Sequence, residues 1–152
     1  MRFVLVDRIW ELEPGKRIIA SKRLPADEEL FQDHFPGFAV VPGVLLTEMM
    51  AQAAGKCLDA ERTHPGRAML GRIQSASFRD WVRPEEEAVI HAVITKNRPA
   101  YAGADSFIEV NDRRVCSAEL FFVFPSNPRL ENGYRDEVLD AYWDALSQKK
   151  EA

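Results

Sequence analysis

Residues 44–62 run without proline, are rich in Leu, Met, Ala, Glu and Gln, and follow Pro42, which stands where a first helical turn begins. The run reads as one long helix, Val44 to Arg62. Its apolar residues Val44, Leu45, Leu46, Met49, Met50, Ala51, Ala53 and Ala54 lie on every side of that helix rather than on one stripe. A helix of this kind has to be enclosed by other protein, and the rest of the 152 residues must supply the enclosure.

The segments around it have the composition to do so. Residues 2–6 and 16–23 read as strands joined through the turn Glu13-Pro14-Gly15-Lys16. Residues 68–78, 87–96, 104–110 and 114–124 carry the β-branched and aromatic content of strands, and Asn111-Asp112-Arg113 is a hairpin turn between the last two. Two strands before the helix and four after it predict an α+β domain, one antiparallel sheet curled around a single central helix. Ala51, Ala53, Ala54 and Gly55 let the sheet come close. Pro99 interrupts the pattern between the strands at 87–96 and 104–110, because it cannot donate to a ladder. The domain spans residues 1–124. Residues 125–152 form an extension whose Val138, Leu139, Tyr142, Trp143 and Leu146 fall on one side of an amphipathic helix, expected to dock on the domain or on a neighbour.

Bulk properties remove several functions. The formal net charge is −4 with both signs dispersed, so there is no basic stripe to track phosphates, and nucleic acid is excluded as a partner. Two cysteines, Cys57 and Cys116, make no disulfide framework and fit a reducing cytoplasm. The start MRFVLVDRIW is cut by Asp7 and Arg8, and reads neither as a signal peptide nor as a membrane span. No HExxH or CxxC spacing occurs, so neither a metal nor another cofactor is expected.

Between His34 and Lys56 the only ionisable side chain is Glu48. Burial among Leu46, Met49, Met50 and Ala51 would penalise the charged carboxylate and keep it protonated, which suits a general acid. His34 lies on a loop, residues 24–42, that Pro25, Pro36, Gly37 and Pro42 shape, and there a neutral imidazole can take a proton. The free N–H groups of Gly43 and Val44 at the helix start can hold an oxyanion. Glu48 lies about 7–9 Å along the axis from that start, at 1.5 Å per residue. One chain therefore does not readily bring the acid to the base, whereas two antiparallel helices across a twofold axis do. His64 and His91 read as structural.

His34-Phe35-Pro36-Gly37, Val41-Pro42-Gly43-Val44-Leu45-Leu46, Glu48 and Ala51-Gln52-Ala53-Ala54-Gly55 together resemble the 3-hydroxyacyl-acyl-carrier-protein dehydratases of fatty acid synthesis, which have a hot-dog fold. LVDRIWELEPGKRI at 5–18, Gly71-Arg72-Ile73 with Ser77-Phe78-Arg79, and VCSAELFFVF extend the likeness over residues 3–124. The resemblance implies that His34 removes the C2 proton of a 3-hydroxyacyl thioester and that Glu48 of the partner subunit releases the C3 hydroxyl as water. It also implies that Gly43, with Val44 beside it, polarises the thioester carbonyl. The implied partners are acyl carrier protein, met by Arg72, Arg79, Arg83 and Arg98, and further copies of the chain, as a dimer or a trimer of dimers. The chain departs from the family at Arg79-Asp80-Trp81-Val82-Arg83-Pro84. Two alternatives share the fold: an acyl thioesterase, and a non-catalytic subunit that binds acyl chains.

Overall fold

A computed structural model of the chain describes residues 1–61, 64, 66–131 and 134–151. Six strands form one antiparallel sheet: β1 (Arg8–Glu13), β2 (Arg17–Arg23), β3 (Met69–Phe78), β4 (Glu87–Asn97), β5 (Tyr101–Val110) and β6 (Arg113–Val123), in the order β1-β2-β4-β5-β6-β3. The long helix, α2 (Gly43–Glu61), packs against β2, β4, β5, β6 and β3, which is the wrapped helix that the sequence requires. A four-residue helix, α1 (Leu30–Asp33), precedes it inside the segment read as loop. The tail adds α3 (Pro128–Glu131) and α4 (Glu137–Glu151). No helix among the described residues is long and apolar enough to cross a membrane.

Strand periodicity explains the core. Ala88, Ile90 and Ala92 of β4, Ala102, Ala104 and Ile108 of β5, and Cys116, Leu120 and Phe122 of β6 alternate inward and are all but fully buried. Alanines dominate the middle of this face and leave room for Leu46, Met49, Met50 and Leu58 of the helix, each 2% exposed or less. Burying each such side chain contributes about 1.5–3 kcal/mol.

Several expectations need correcting. Residues 2–6 are not a strand; β1 begins at Arg8. Leu5 and Val6 are consecutive and both fully buried, and the Leu5 amide donates to the Gln52 side chain at 2.8 Å instead of to a ladder. Pro99 breaks no strand. It sits in the turn from β4 to β5, which the Arg98 amide closes onto the Tyr101 carbonyl at 2.9 Å, so β5 starts at Tyr101 rather than 104. Arg62, the expected end of the central helix, lies outside the described residues. The turns at Glu13–Lys16 and Asn111–Asp112 stand where expected, with Gly15 at φ 72° and Asn111 and Asp112 at 50° and 64°.

The tail folds back onto its own sheet. Val138 and Leu139 are buried, Tyr142 packs against the core, and α4 lies across β1.

Candidate active site

His34 follows α1 directly and opens a tight loop. The amides of Phe35 and Phe38 each donate to the other's carbonyl, at 3.0 and 2.9 Å, around Gly37 at φ 76°. The Val40 amide returns to the His34 carbonyl at 3.2 Å, and the Val41 amide ties the loop to Val82 at 2.8 Å. Within this frame Nδ1 of the half-buried His34 lies 3.0 Å from the Val40 carbonyl oxygen. A carbonyl only accepts, so Nδ1 bears the hydrogen and the lone pair of a neutral ring is on Nε2.

The same loop is braced from the segment that follows β3. Phe38 meets Trp81 edge-on at 4.8 Å between centroids, and the Arg83 guanidinium lies 4.6 Å from the Phe38 ring while its Nε donates to the Ala39 carbonyl at 2.9 Å. Arg72, Arg79 and Arg98 are exposed, and so is Arg83 apart from these contacts.

At the start of α2 the amides of Leu45 and Leu46 both reach the Pro42 carbonyl, whereas those of Gly43 and Val44 have no partner among the described residues. They are free donors at the positive end of a 19-residue helix. Gly43 is tightly placed: a Cβ there would lie 3.2 Å from Cε1 of Phe78. Val44, expected to be enclosed, is instead 77% exposed.

Glu48 also departs from expectation. Within one chain it is half-buried rather than sealed among apolar groups, and Gln52 Nε2, one helical turn on, donates to its Oε1 at 3.1 Å. The turn that carries Glu48 and Gln52 is bordered by the N-terminal segment, with the Leu5 amide donating to Gln52 Oε1 and Gln52 Nε2 donating to the Phe3 carbonyl at 3.2 Å. It faces a cavity of about 440 Å³ whose walls include Phe3, Ala51, Gly55, Leu70 and Tyr134. His34 does not line that cavity. A single chain thus gives the acid a cavity and the base a braced loop, without joining them in one pocket.

The remaining histidines have local partners: His91 stacks on Phe107 at 4.4 Å with Nε2 3.6 Å from Glu109, and His64 stacks on Phe124 with Nε2 2.6 Å from Asn97 Oδ1. Among the described residues no group of His, Cys, Asp and Glu is placed to hold a metal ion. Sequence reasoning missed Gln52, although its i+4 spacing from Glu48 was visible, and it missed the Val40 carbonyl, which no side-chain pattern can announce.

Comparison with known proteins bears on this geometry. A model of the FabA-like domain matches residues 1–119. The chain is 41% identical over 121 residues to the 3-hydroxyacyl-[acyl-carrier-protein] dehydratase FabZ of Pediococcus pentosaceus, covering 79% of this chain and 81% of the relative. It is 40% identical over 123 residues to the FabZ of Lactobacillus helveticus, covering 80% and 83%. Among solved structures, the PaaI protein from the phenylacetic acid degradation operon of E. coli superposes with a TM-score of 0.64 at 12% identity, covering 79% of each chain, and shares the hot-dog fold alone.

Proposed function

The chain belongs to the FabA-like domain family, and from that premise we propose that it is a 3-hydroxyacyl-[acyl-carrier-protein] dehydratase, removing water from the carrier-bound 3-hydroxyacyl thioester to give the trans-2-enoyl thioester. The observation that carries the catalytic reading is the His34 Nδ1–Val40 hydrogen bond, which leaves Nε2 as a base held on a braced loop.

The reaction follows from three groups. The thioester carbonyl accepts from the Gly43 amide, with Val44 adjacent, so charge arriving on its oxygen is met by helix-end donors. Nε2 of His34 takes the C2 proton. The electron pair of that C–H bond becomes the C2–C3 double bond as the C3–O bond breaks, and Glu48 of the partner subunit gives its proton to the departing hydroxyl, which leaves as water. Gln52 orients that carboxyl.

The shared site needs a second copy, and β3 is the surface that receives it. It is one of the two outer strands of the sheet, ten residues long and exposed throughout, with Met69, Ile73 and Phe78 each more than 40% accessible. A long apolar edge of this kind is ordinarily covered. Phe78 at one end of β3 lies against Gly43 and Leu70 near the other end lines the Glu48 cavity, so two β3 edges paired antiparallel across a twofold axis would set the helix start of each subunit towards the Glu48 cavity of the other. A dimer is then the smallest active unit, alone or within a trimer of dimers. Arg72, Arg79 and Arg98, with Arg83 in a second capacity, form the proposed contacts to the acidic carrier.

Incubation with crotonyl and butyryl thioesters tests the assignment. The dehydratase hydrates crotonyl thioester reversibly and leaves butyryl thioester intact; release of free thiol from butyryl thioester without hydration of crotonyl would identify a thioesterase instead.

A further inference from the structure

One end of the cavity beside Glu48 is walled by a segment outside the family match. The cavity follows α2 from Glu48 past Gln52 and Gly55 to Lys56, and there it meets Tyr134, Asp136 and Glu137 of the C-terminal extension. Lys56 Nζ donates to Asp136 Oδ2 at 2.8 Å, with both side chains only 10% exposed. The Arg67 guanidinium sits 3.0 Å from the centre of the Tyr134 ring, and Arg2 holds Glu137 at 2.8 Å. Asp136 is itself fixed, since its Oδ1 accepts from the Val138 and Leu139 amides at 3.1 Å and so caps α4, whose first turn is buried on the domain.

We propose that residues 134–138, locked to Lys56 and Arg67, are the chain-length stop of the acyl site, and that the substrates are short- and medium-chain acyl groups. This rests on the dehydratase reading above. An acyl chain extended along α2 from Glu48 reaches Lys56 after eight residues, about 12 Å at 1.5 Å per residue. A zigzag alkyl chain with bonds of about 1.5 Å advances about 1.3 Å per carbon, so roughly nine carbons fit. A longer tail has to part the Lys56–Asp136 pair or strip it of its polar surroundings while offering no hydrogen bond in return, and a buried pair resists both.

The test compares crotonyl, octenoyl and hexadecenoyl thioesters of acyl carrier protein, following loss of the conjugated thioester. Wild type is expected to lose at least about tenfold in kcat/KM between octenoyl and hexadecenoyl, as a pocket of fixed length discriminates by excluded methylenes. Two independent changes to the wall are then made. K56M/D136N removes the ion pair while Asn keeps the helix cap, and Tyr134→Ala removes the ring. Each is expected to raise the hexadecenoyl-to-octenoyl ratio by about tenfold or more. Because they alter different parts of the wall, either one decides the matter if the other fails to fold. A wild type that hydrates hexadecenoyl as fast as octenoyl, or folded variants with the wild-type ratio, would overturn the stop while leaving the dehydratase assignment standing. Failure to hydrate any of the three thioesters overturns that assignment, and the stop with it.

Discussion

The carbonyl oxygen of Val40 stands 3.0 Å from Nδ1 of His34, six residues back along the same loop. The contact sets both the tautomer and the direction of the ring, and it separates holding the loop from doing the chemistry. His34→Ala is expected to lower kcat by about 10²–10⁴-fold, the range for removal of a positioned base. His34→Asn is the sharper variant, because its amide nitrogen can still donate to Val40 while no basic nitrogen remains. It should keep the wild-type melting temperature and lose activity as fully as the alanine; substantial turnover by the asparagine variant would remove His34 from the mechanism.

A site divided between subunits predicts complementation. His34→Ala and Glu48→Gln homodimers should each be inactive. Mixed, unfolded and refolded together, half of the dimers are hybrids, and each hybrid holds one intact His34–Glu48 pair, so about a quarter of wild-type activity should return. Steady-state rates on the refolded mixture measure it. No recovery would place both residues of a working site in the same chain.

Gly43 joins the site to the sheet. A Cβ there would press on Cε1 of Phe78 at 3.2 Å, with Cδ1 and Cζ at 3.3 Å, and Phe78 belongs to β3. Gly43→Ala should therefore shift the helix start or the strand, costing about 1–3 kcal/mol of stability by overpacking and lowering kcat through misaligned amides. Adding Phe78→Leu should restore part of both. Thermal melts and kcat for the single and double variants give the coupling.

How much of this was legible beforehand differs by element. The all-round apolar surface of α2 demanded a wrapping sheet, and the chain provides one. β4, with its regular alternation, and β6 fell within a residue or two of their read positions. Leu5 and Val6 misled because two adjacent buried residues look like a strand in composition, while the Leu5 amide goes to the Gln52 side chain. Glu48 misled differently. Its neighbours in sequence are apolar, yet Glu48 itself is only half-buried and shares with Gln52 a side of the helix that borders a cavity. Sequence neighbours on a helix turn 100° apart, so an apolar run says little about what one residue within it faces. The Tyr134–Asp136 wall was beyond reach for another reason: its partners Lys56 and Arg67 lie more than sixty residues away.

The two thiols report on core integrity. Burial pushes Cys57 up to about 11 and Cys116 up to about 12 from an ordinary 9.0, against weaker opposing hydrogen bonds from the backbone. Both are therefore neutral and shielded at pH 8, and should resist a thiolate-directed reagent in the native state while reacting at once in denaturant. The sign of the linkage is fixed as well. The folded-state values are raised, so the stability these groups contribute is complete below about 9 and is lost as pH rises through 11 to 12. Midpoints of denaturant unfolding should fall over that alkaline range, and Cys116→Ala should flatten part of the fall.

The exposed edge of β3 makes the subunit seam testable. Every residue of this strand is exposed in one chain, and Ile73 at its centre is 49% accessible. Ile73→Lys puts a charge into the middle of the proposed seam, twice over, because a twofold axis sets the two copies of the substitution near one another. The isolated subunit tolerates the change, since the lysine head stays in water and the pairing of β3 with β6 is untouched. Sedimentation should then show a shift from dimer or hexamer towards monomer, with kcat falling in proportion to the dimer lost and recovering at high protein concentration. A monomeric variant with full activity would mean that the base and the acid meet within one chain. A dimeric variant with full activity would put the seam somewhere other than β3.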